Sequence, residues 1–523
     1  MTTMCFSVMI VAGGLLAIGG SPQLAPSASA QTTIDGNSLQ GDYCVSAHDC
    51  WAVGWVYTGG VTGVNCTTTG NACVPLVENW NGSQWSIVPS QAPSGTAPGG
   101  TAPVWSRPRG TATVWSSKLY SVSCESATMC VAVGVTTYNP VGAIPSYTQT
   151  LIEEFTGGSS WSIVASPDNN APANTPAYTN LYNNNTLQGL SCTADQCIAV
   201  GQYCTFTPSA FPSAPLSGQC GYRGSVSSPP DGSWSDTLIE MERGGGAWTI
   251  VPSPDVNTDS TWATINDDHL FGVQCVSDSD CYASGYTQPQ AAKIRPMSLQ
   301  WNGTSWGTWK GATFVTAAPM YNQPPDTSPT TQNNWDFDMT CIPGTSPDIC
   351  WTVGAIGDAR NETLVEQYTG GLTHTWTALQ GSSPPLTSYS PNAPYGKGDQ
   401  LQDISCMSNG TCFAVEVNYY RNGATTLPWN PLIEECTSCN STTPTTPSWT
   451  VVQSQNVAPI SPNAASVLYG VSCSGTSFCM AVGFFCAGSG DCLYSTDGSQ
   501  YHALAEEWKG STWSITPSPD VTG

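Results

Sequence analysis

Charge is what this chain has least of. Asp, Glu, Lys and Arg make up 9% of its 523 residues, 36 acidic against 12 basic, for a formal net charge of −24. The first Lys or Arg is Arg107, and no basic cluster follows it. A surface of that sign is repelled by phosphate backbones, which argues against nucleic acid and anionic lipid as partners. Histidine is scarce as well: with 4 in the chain, the 23 cysteines do not read as zinc sites, whose ligands converge in fours. No 3.6-residue hydrophobic period appears beyond the N-terminus, and neither H-E-x-x-H nor a phosphate-cradling Gly loop opening a helix is present. No metal motif or cofactor is therefore expected.

The long apolar run, Val8 to Ile18, is interrupted by Gly13-Gly14 and falls short of the ~20 residues a membrane span needs. It lies within Met1 to Ala30, which carries no charged side chain and ends Ala28-Ser29-Ala30. That pattern reads as a secretory signal peptide, residues 1–30, with cleavage before Gln31. The expectation is an exported protein, secreted or held at the cell surface, without a membrane span in the mature chain and monomeric.

What the sequence does have is repetition. The stretch LYGVSCSGTSFCMAVG, opening at Leu468, has six imperfect copies, opening at Leu39, Leu119, Leu187, Leu270, Asp336 and Leu401. The first cysteine of each copy recurs at spacings of 80, 68, 83, 66, 65 and 67 residues. Cysteine arithmetic follows the repeat. With Cys5 in the signal peptide, 22 remain. One close pair falls in each copy: Cys44 and Cys50, Cys124 and Cys130, Cys192 and Cys197, Cys275 and Cys281, Cys341 and Cys350, Cys406 and Cys412, Cys473 and Cys479. The others also fall in twos within single copies: Cys66 and Cys73, Cys204 and Cys220, Cys436 and Cys439, Cys486 and Cys492. An even set of local pairs suits disulfides in an oxidising compartment.

Four short segments recur in each copy: L-x-G-V-S-C, C-x-A-V-G, T-L-I-E and W-S-I-V-P. All are rich in β-branched and aromatic residues and bounded by Gly, Pro, Asn and Ser, so each reads as a strand. The cysteine pair closes the first hairpin, and each closure of ~7 residues stabilises by roughly 2 kcal/mol. A Gly-x-x-Trp turn, at Gly82, Gly158, Gly245, Gly303 and Gly510, joins strands three and four, with the Gly providing positive φ.

Four antiparallel strands, repeated seven times at about 70 residues, is the arithmetic of a seven-bladed β-propeller, all-β and disulfide-stapled. The blades are expected at 39–118, 119–186, 187–269, 270–335, 336–400, 401–467 and 468–523. In this architecture, and in the turn Trp508-Lys-Gly-Ser-Thr-Trp513, the chain resembles secreted bacterial propellers of the Kelch and Asp-box type. The resemblance implies the fold and no particular chemistry. A single Gly replaces the Kelch double glycine, and the Asp-box acid is Trp80, Thr156, Arg243, Trp301 and Trp508.

Hairpin geometry puts the short, disulfide-tied turns on one face of the ring and the long loops 55–74, 89–118, 202–236, 311–335 and 380–400 on the other. Variable loops on a rigid face are where binding resides. Residues present in every blade serve the blade; Glu78, Glu153, Glu240, Glu366, Glu434 and Glu506, with Gln300 in the remaining copy, read as structural acceptors. Non-repeated residues are the functional candidates. At the third place of strand one, Gly or Ser in five copies, stand Asp338 and Asp403. Two carboxylates entering a crowded channel could bind a cation, calcium among them, or serve as an acid–base pair. Asp267, Asp268 and His269, with Asp336 and Asp399, read as an acidic patch at the channel mouth. Trp105, Trp115, Trp234, Trp262, Trp335 and Trp429 read as platforms for sugar rings. The function expected is non-catalytic binding of an extracellular glycan or protein on the long-loop face. The alternatives are a glycoside hydrolase or polysaccharide lyase using Asp338 and Asp403, and a structural or adhesive surface protein.

Overall fold

The computed structural model describes residues 35–58, 73–91, 93, 112–140, 147–167, 182–206, 234–254, 268–288, 294–310, 313–315, 320–321, 333–346, 348–356, 362–370, 375–380, 398–419, 421–422, 425–426, 431–441, 448–452, 454, 465–486 and 501–521. The signal-peptide reading, Cys66, Cys220 and Cys492 lie outside them. Among the described residues every regular element is a β-strand, and no helix is long and apolar enough to cross a membrane.

Blade one shows the unit: strands Asp35–Ser46, Asp49–Thr58, Cys73–Trp80 and Trp85–Ile87 pair antiparallel in chain order. Six further sheets repeat it, beginning at Ala112, Tyr182, Asp268, Asn334, Gly398 and Ala465. Blade four extends its sheet with Thr313–Val315 and Met320–Tyr321. In blade six a small hairpin, Arg421–Asn422 with Thr425–Thr426, rises between strands two and three.

The Leu-x-Gly opening of each copy is a β-bulge. In all seven blades the register of strand one against strand two slips at this point, as between Leu39 and Gly41 or Asp336 and Asp338. The extra residue turns toward the channel and tightens the strand's twist. The bulge also explains the glycine in the middle of strand two: a Cβ on Gly54 would sit 1.9 Å from the Ser38 carbonyl oxygen, and one on Gly134 2.0 Å from that of Lys118. In blade six Glu416 takes this place, opposite Leu401.

The seven hairpin cysteine pairs are all bonded, as is Cys436–Cys439. Each hairpin pair sits directly cross-strand. Cys73 and Cys486 are disulfide-bonded too. In the strand three-to-four turns, Gly82, Gly303 and Gly510 hold positive φ, while in blade two it is Gly157 rather than Gly158. Asn81 and Asn302 Oδ1 each accept two backbone amides of the same turn. These Asn-x-Ser/Thr triplets are thus turn chemistry. Asn184 differs: it is buried and accepts the Thr148 amide of the preceding blade.

Seven apolar clusters, one at each blade boundary, close the ring. The Trp that starts strand four reaches back to the preceding blade: Trp161 packs edge-on to Trp51, Trp449 to Trp351, and Trp513 to Phe413. Beside it the recurrent Glu receives a hydrogen bond from a serine that follows the preceding blade's last strand. Ser90 Oγ donates to Glu153 (2.6 Å), Ser166 to Glu240 (2.7 Å), Ser454 to Glu506 (2.6 Å) and Ser518 to Glu78 (2.6 Å). The Glu residues are therefore acceptors across blade boundaries. Register corrects one detail: opposite strand two, the residue of blade four in line with these Glu is Leu299, paired with Ala283, and not Gln300. With no carboxylate there, Ser253 keeps the bond to Thr237 in its own blade, of the kind Ser166 makes with Thr150.

Blade seven joins blade one by the same devices. Ser518 meets Glu78, Trp85 Nε1 donates to Thr516 Oγ1 (3.2 Å), and the Val521 amide donates to Asn37 Oδ1 (3.2 Å). Among the described residues no strand is exchanged, and residues 35–38 lengthen strand one of blade one.

Candidate functional site

The seven first strands surround a central cavity of about 460 Å³. At one end the bulged residues line it, Tyr120, Phe271, Phe337 and Tyr469 interspersed with glutamines; at the other lie the hairpin cysteines. Its walls are tied by a repeated bond: the amides of Cys44, Cys192, Cys275 and Cys473 each donate to the Ser Oγ that precedes the cysteine of the neighbouring blade. Among the described residues no Lys, Arg or His lines the cavity, but three carboxylates do: Asp42, Asp338 and Asp403.

Asp338 and Asp403, in adjacent blades, are brought together. Each is half-buried, its remaining surface lining the channel. Asp338 Oδ2 accepts the Ile404 amide (3.2 Å), Asp403 Oδ2 accepts the Val471 amide (2.8 Å), and Asp403 Oδ1 accepts its neighbour's amide at Ile404 (2.7 Å). The two side chains are hydrogen-bonded to each other. Burial first, then the charge of Asp403, pushes Asp338 well above the usual carboxylate range. Asp403 is raised less, because its hydrogen bond with Asp338 and those from two backbone amides offset its burial.

Asp42 is the residue that sequence reasoning missed. It stands one place further along strand one, where the other blades carry Val122, Leu190, Val273, Met339, Ile404 and Val471, all buried. Its carboxylate is 9% exposed, and neither oxygen has a hydrogen-bond partner. Burial, then the charge of Asp403, holds its pKa well above the usual range; the Ser472 amide offsets part of this without completing a hydrogen bond. The signal that would have found it is the substitution of an acid at an otherwise apolar place.

Of the acidic patch expected at the channel mouth, the described side chains are buried; that of Asp399 lies outside the described residues. Asp268 is fully buried, and His269 is buried in a cluster with the Phe271 and Tyr286 rings, with Nε2 2.8 Å from Ser235 Oγ. Asp336 occupies the place of a core Leu. The Leu is fully buried in the other six blades, and Asp336 is too, beside Glu366, whose charge adds to burial in raising its pKa. Strand one begins before the recurrent Leu, so these residues lie inside the sheet. Asp267 lies outside the described residues.

The backbone places Trp115, Trp234 and Trp335 in strand segments at the long-loop end of the blades. Trp335 is half-buried. The side chains of Trp115 and Trp234, and Trp105, Trp262 and Trp429 entirely, lie outside the described residues. At the same end Lys118 lies 5.2 Å over the Trp55 ring, and burial lowers its pKa to about 8.

Two further groups resemble sites and are not. Glu125, Cys197 and Glu242 converge, but Cys197 is bonded to Cys192, which leaves two carboxylates. Gly303-Thr-Ser305-Trp-Gly307 spells the nucleophile-elbow pattern G-x-S-x-G. It forms the strand three-to-four turn of blade four, with the Ser305 amide on Asn302, and no strand-to-helix turn exposes its hydroxyl.

No family model matches the chain, and no curated protein does. Among solved structures it is similar to a PL25 polysaccharide lyase, an ulvan lyase, at 8% identity and TM-score 0.46, over 92% of this chain and 96% of that one. It is also similar to an α-L-arabinanase of Penicillium chrysogenum, at 10% identity and TM-score 0.32, over 63% and 79%. A thermostable family-43 glycoside hydrolase is similar at 8% and 0.30, over 62% and 97%. At such scores these likenesses say nothing of chemistry here; the seven blades are established by the hydrogen-bonded sheets themselves.

Proposed function

We propose that the protein is a secreted, non-catalytic binding propeller that recognises a neutral or amino-substituted glycan on its long-loop face. The observation that carries this reading is the division of labour between the faces. On the hairpin face the strand one-to-two turns are short, repeated and disulfide-closed in every blade, and the long connection there is residues 437–448 of blade six. The variable connections, together with Trp335 and the Lys118–Trp55 pair, lie at the other end. Aromatic faces beside polar groups suit sugar rings, and a net charge of −24 disfavours polyanions. The disulfides suit an oxidising compartment.

The geometry of Asp338 and Asp403 speaks for binding rather than hydrolysis. Glycosidase carboxyl pairs stand about 5–9.5 Å apart, with a sugar ring between them, whereas these two touch. Pull-downs of the purified protein on neutral, amino and uronic polysaccharides, followed for reducing ends and unsaturated uronates, test the reading. The expected result is retention on neutral or amino polymers without turnover, weakened about tenfold by Trp335→Ala. Product release that Asp338→Asn with Asp403→Asn abolishes would make the protein an enzyme. No retention on any polymer would leave a structural or adhesive role.

A further inference from the structure

We propose that the residues left unpaired by the strand-one bulges form a sugar-binding ring inside the channel, which takes the terminal residue of a glycan end-on. The inference rests on the loop face being a glycan-binding surface, and adds the place where a chain end is read. In each blade the register of strand one against strand two skips one residue, as between Leu39 and Gly41. A bulge re-aims the side chain it leaves out. Here that side chain lines the cavity. In blades two, four, five and seven it is Tyr120, Phe271, Phe337 and Tyr469. In blades one, three and six it is Gln40, Gln188 and Gln402. All are half-buried.

The repeat does not dictate these residues. The place before them is Leu in six copies, and the place after is Gly or Ser in five, whereas the bulged place is divided between aromatics and amides. Their order around the ring is mixed: Gln40 stands between the blades of Tyr469 and Tyr120, Gln188 between those of Tyr120 and Phe271, and Gln402 between those of Phe337 and Tyr469. Aromatic faces beside polar amides suit a pyranose, whose apolar face stacks while its hydroxyls hydrogen-bond. The amide hydrogens are partly spent on the protein. Gln40 Nε2 donates to Ser38 Oγ (2.8 Å) and the Leu39 carbonyl, and Gln402 Nε2 to the Gln400 carbonyl (3.4 Å). Among the described residues no donor reaches Oε1 of either, so the ring offers acceptors to a ligand rich in hydroxyl donors. The acids Asp42, Asp338 and Asp403 lie one or two places further along the strands, and no basic side chain lines the cavity among the described residues. A carboxylated or sulfated sugar would meet no countercharge, so the class is a neutral or amino sugar. The cavity, about 460 Å³, falls within the ~300–1,000 Å³ of small-ligand sites. Strands wall it on every side, so a polymer reaches the ring with its end.

Retention of the purified protein on amylose, xylan, mannan and chitosan, competed by each polymer intact and by the same mass partially hydrolysed, tests the ring. The expected result is that the hydrolysate of a retaining polymer competes more strongly per unit mass, in proportion to its number of chain ends. Phe337→Gln and Gln402→Ala should each weaken competition by the hydrolysate about tenfold, with the native melting temperature kept. Phe337→Gln installs the residue found at Gln40, Gln188 and Gln402, so the bulge accommodates it. Competition that follows mass alone, or native affinity in both variants, overturns the inference while the loop-face reading stands. No retention on any polymer overturns both.

Discussion

Raising the pH from 4.5 to 8 should make this propeller melt earlier, and one carboxyl should account for much of the loss. Glu78 is fully buried where blade seven meets blade one. Burial lifts its pKa from 4.5 to about 8 against the opposing hydrogen bond from Ser518, and Asp520 adds to the rise. In the unfolded chain Glu78 ionises near pH 4.5, whereas in the folded chain it keeps its proton until about pH 8. The folded state therefore binds more protons across that window. Stability is greatest below pH 4.5 and is lost as pH climbs toward 8. Each pKa unit is ~1.4 kcal/mol, so the full effect at Glu78 is about 5 kcal/mol. With an unfolding entropy of ~2.1 cal/mol/K per residue, a chain of this length loses about 1 °C per kcal/mol, hence about 5 °C from this residue. Glu153, raised to about 7 at the next boundary, acts in the same direction. The assay is a series of calorimetric melts from pH 4.5 to 8 in chelator, comparing the native protein with Glu78→Gln. The amide keeps an acceptor for Ser518 and cannot ionise. It should raise the melting temperature at pH 8 by several degrees and leave it unchanged at pH 4.5. That difference separates the local effect from the general relief of net charge in acid, which both proteins share. Parallel slopes in the two proteins, or a native melting temperature that rises with pH, would refute the reasoning.

Other perturbations follow from the blade boundaries. Asp336→Leu restores the residue found in the other six copies and removes a buried acid beside Glu366. It should stabilise by about 2 kcal/mol or more at pH 8 and by less at pH 4.5, read as a higher melting temperature. Ser518→Ala removes the donor to Glu78 at the ring closure and should cost about 1–3 kcal/mol. Ser90→Ala, which removes the matching donor to Glu153, should cost a similar amount; a far larger loss from Ser518→Ala in denaturant titrations would show that closure rests on a special clasp. Gly54→Ala would place a carbon 1.9 Å from the Ser38 carbonyl oxygen and should cost about 3 kcal/mol or more, measured as an early melt.

Repetition is what made the fold legible. Seven parallel statements of the same strands, cysteines and turn identify a blade even where one copy is degenerate, as at Asp336 or Glu416. The same comparison made the Glu residues readable as parts of the blade. What it did not give was register. Counting by residue type put Gln300 in the Glu row, but Cys281 opposite Trp301 puts Leu299 there, because pairing is set by the bulge and the turn. Asp268 and His269 looked like loop residues because the recurrent Leu was taken as the start of strand one. The strand reaches back further, and the depth of its first turns in the sheet depends on pairing with Tyr286 and Thr287. Asp42, one place along strand one from the row of Gly, Ser and Asp, stands out only against the apolar row formed by Val122, Leu190, Val273, Met339, Ile404 and Val471. The loop face carries no repeat, so its tryptophans could be nominated but not placed relative to one another.

The serine-to-glutamate bond occurs where blade seven meets blade one as it does between successive blades, and among the described residues no strand is shared across that join. This boundary is therefore built like the others. Linking residue 521 back to residue 35 and opening the chain at another blade-to-blade loop should give a circular permutant with the same ring. A ring built this way has no first blade.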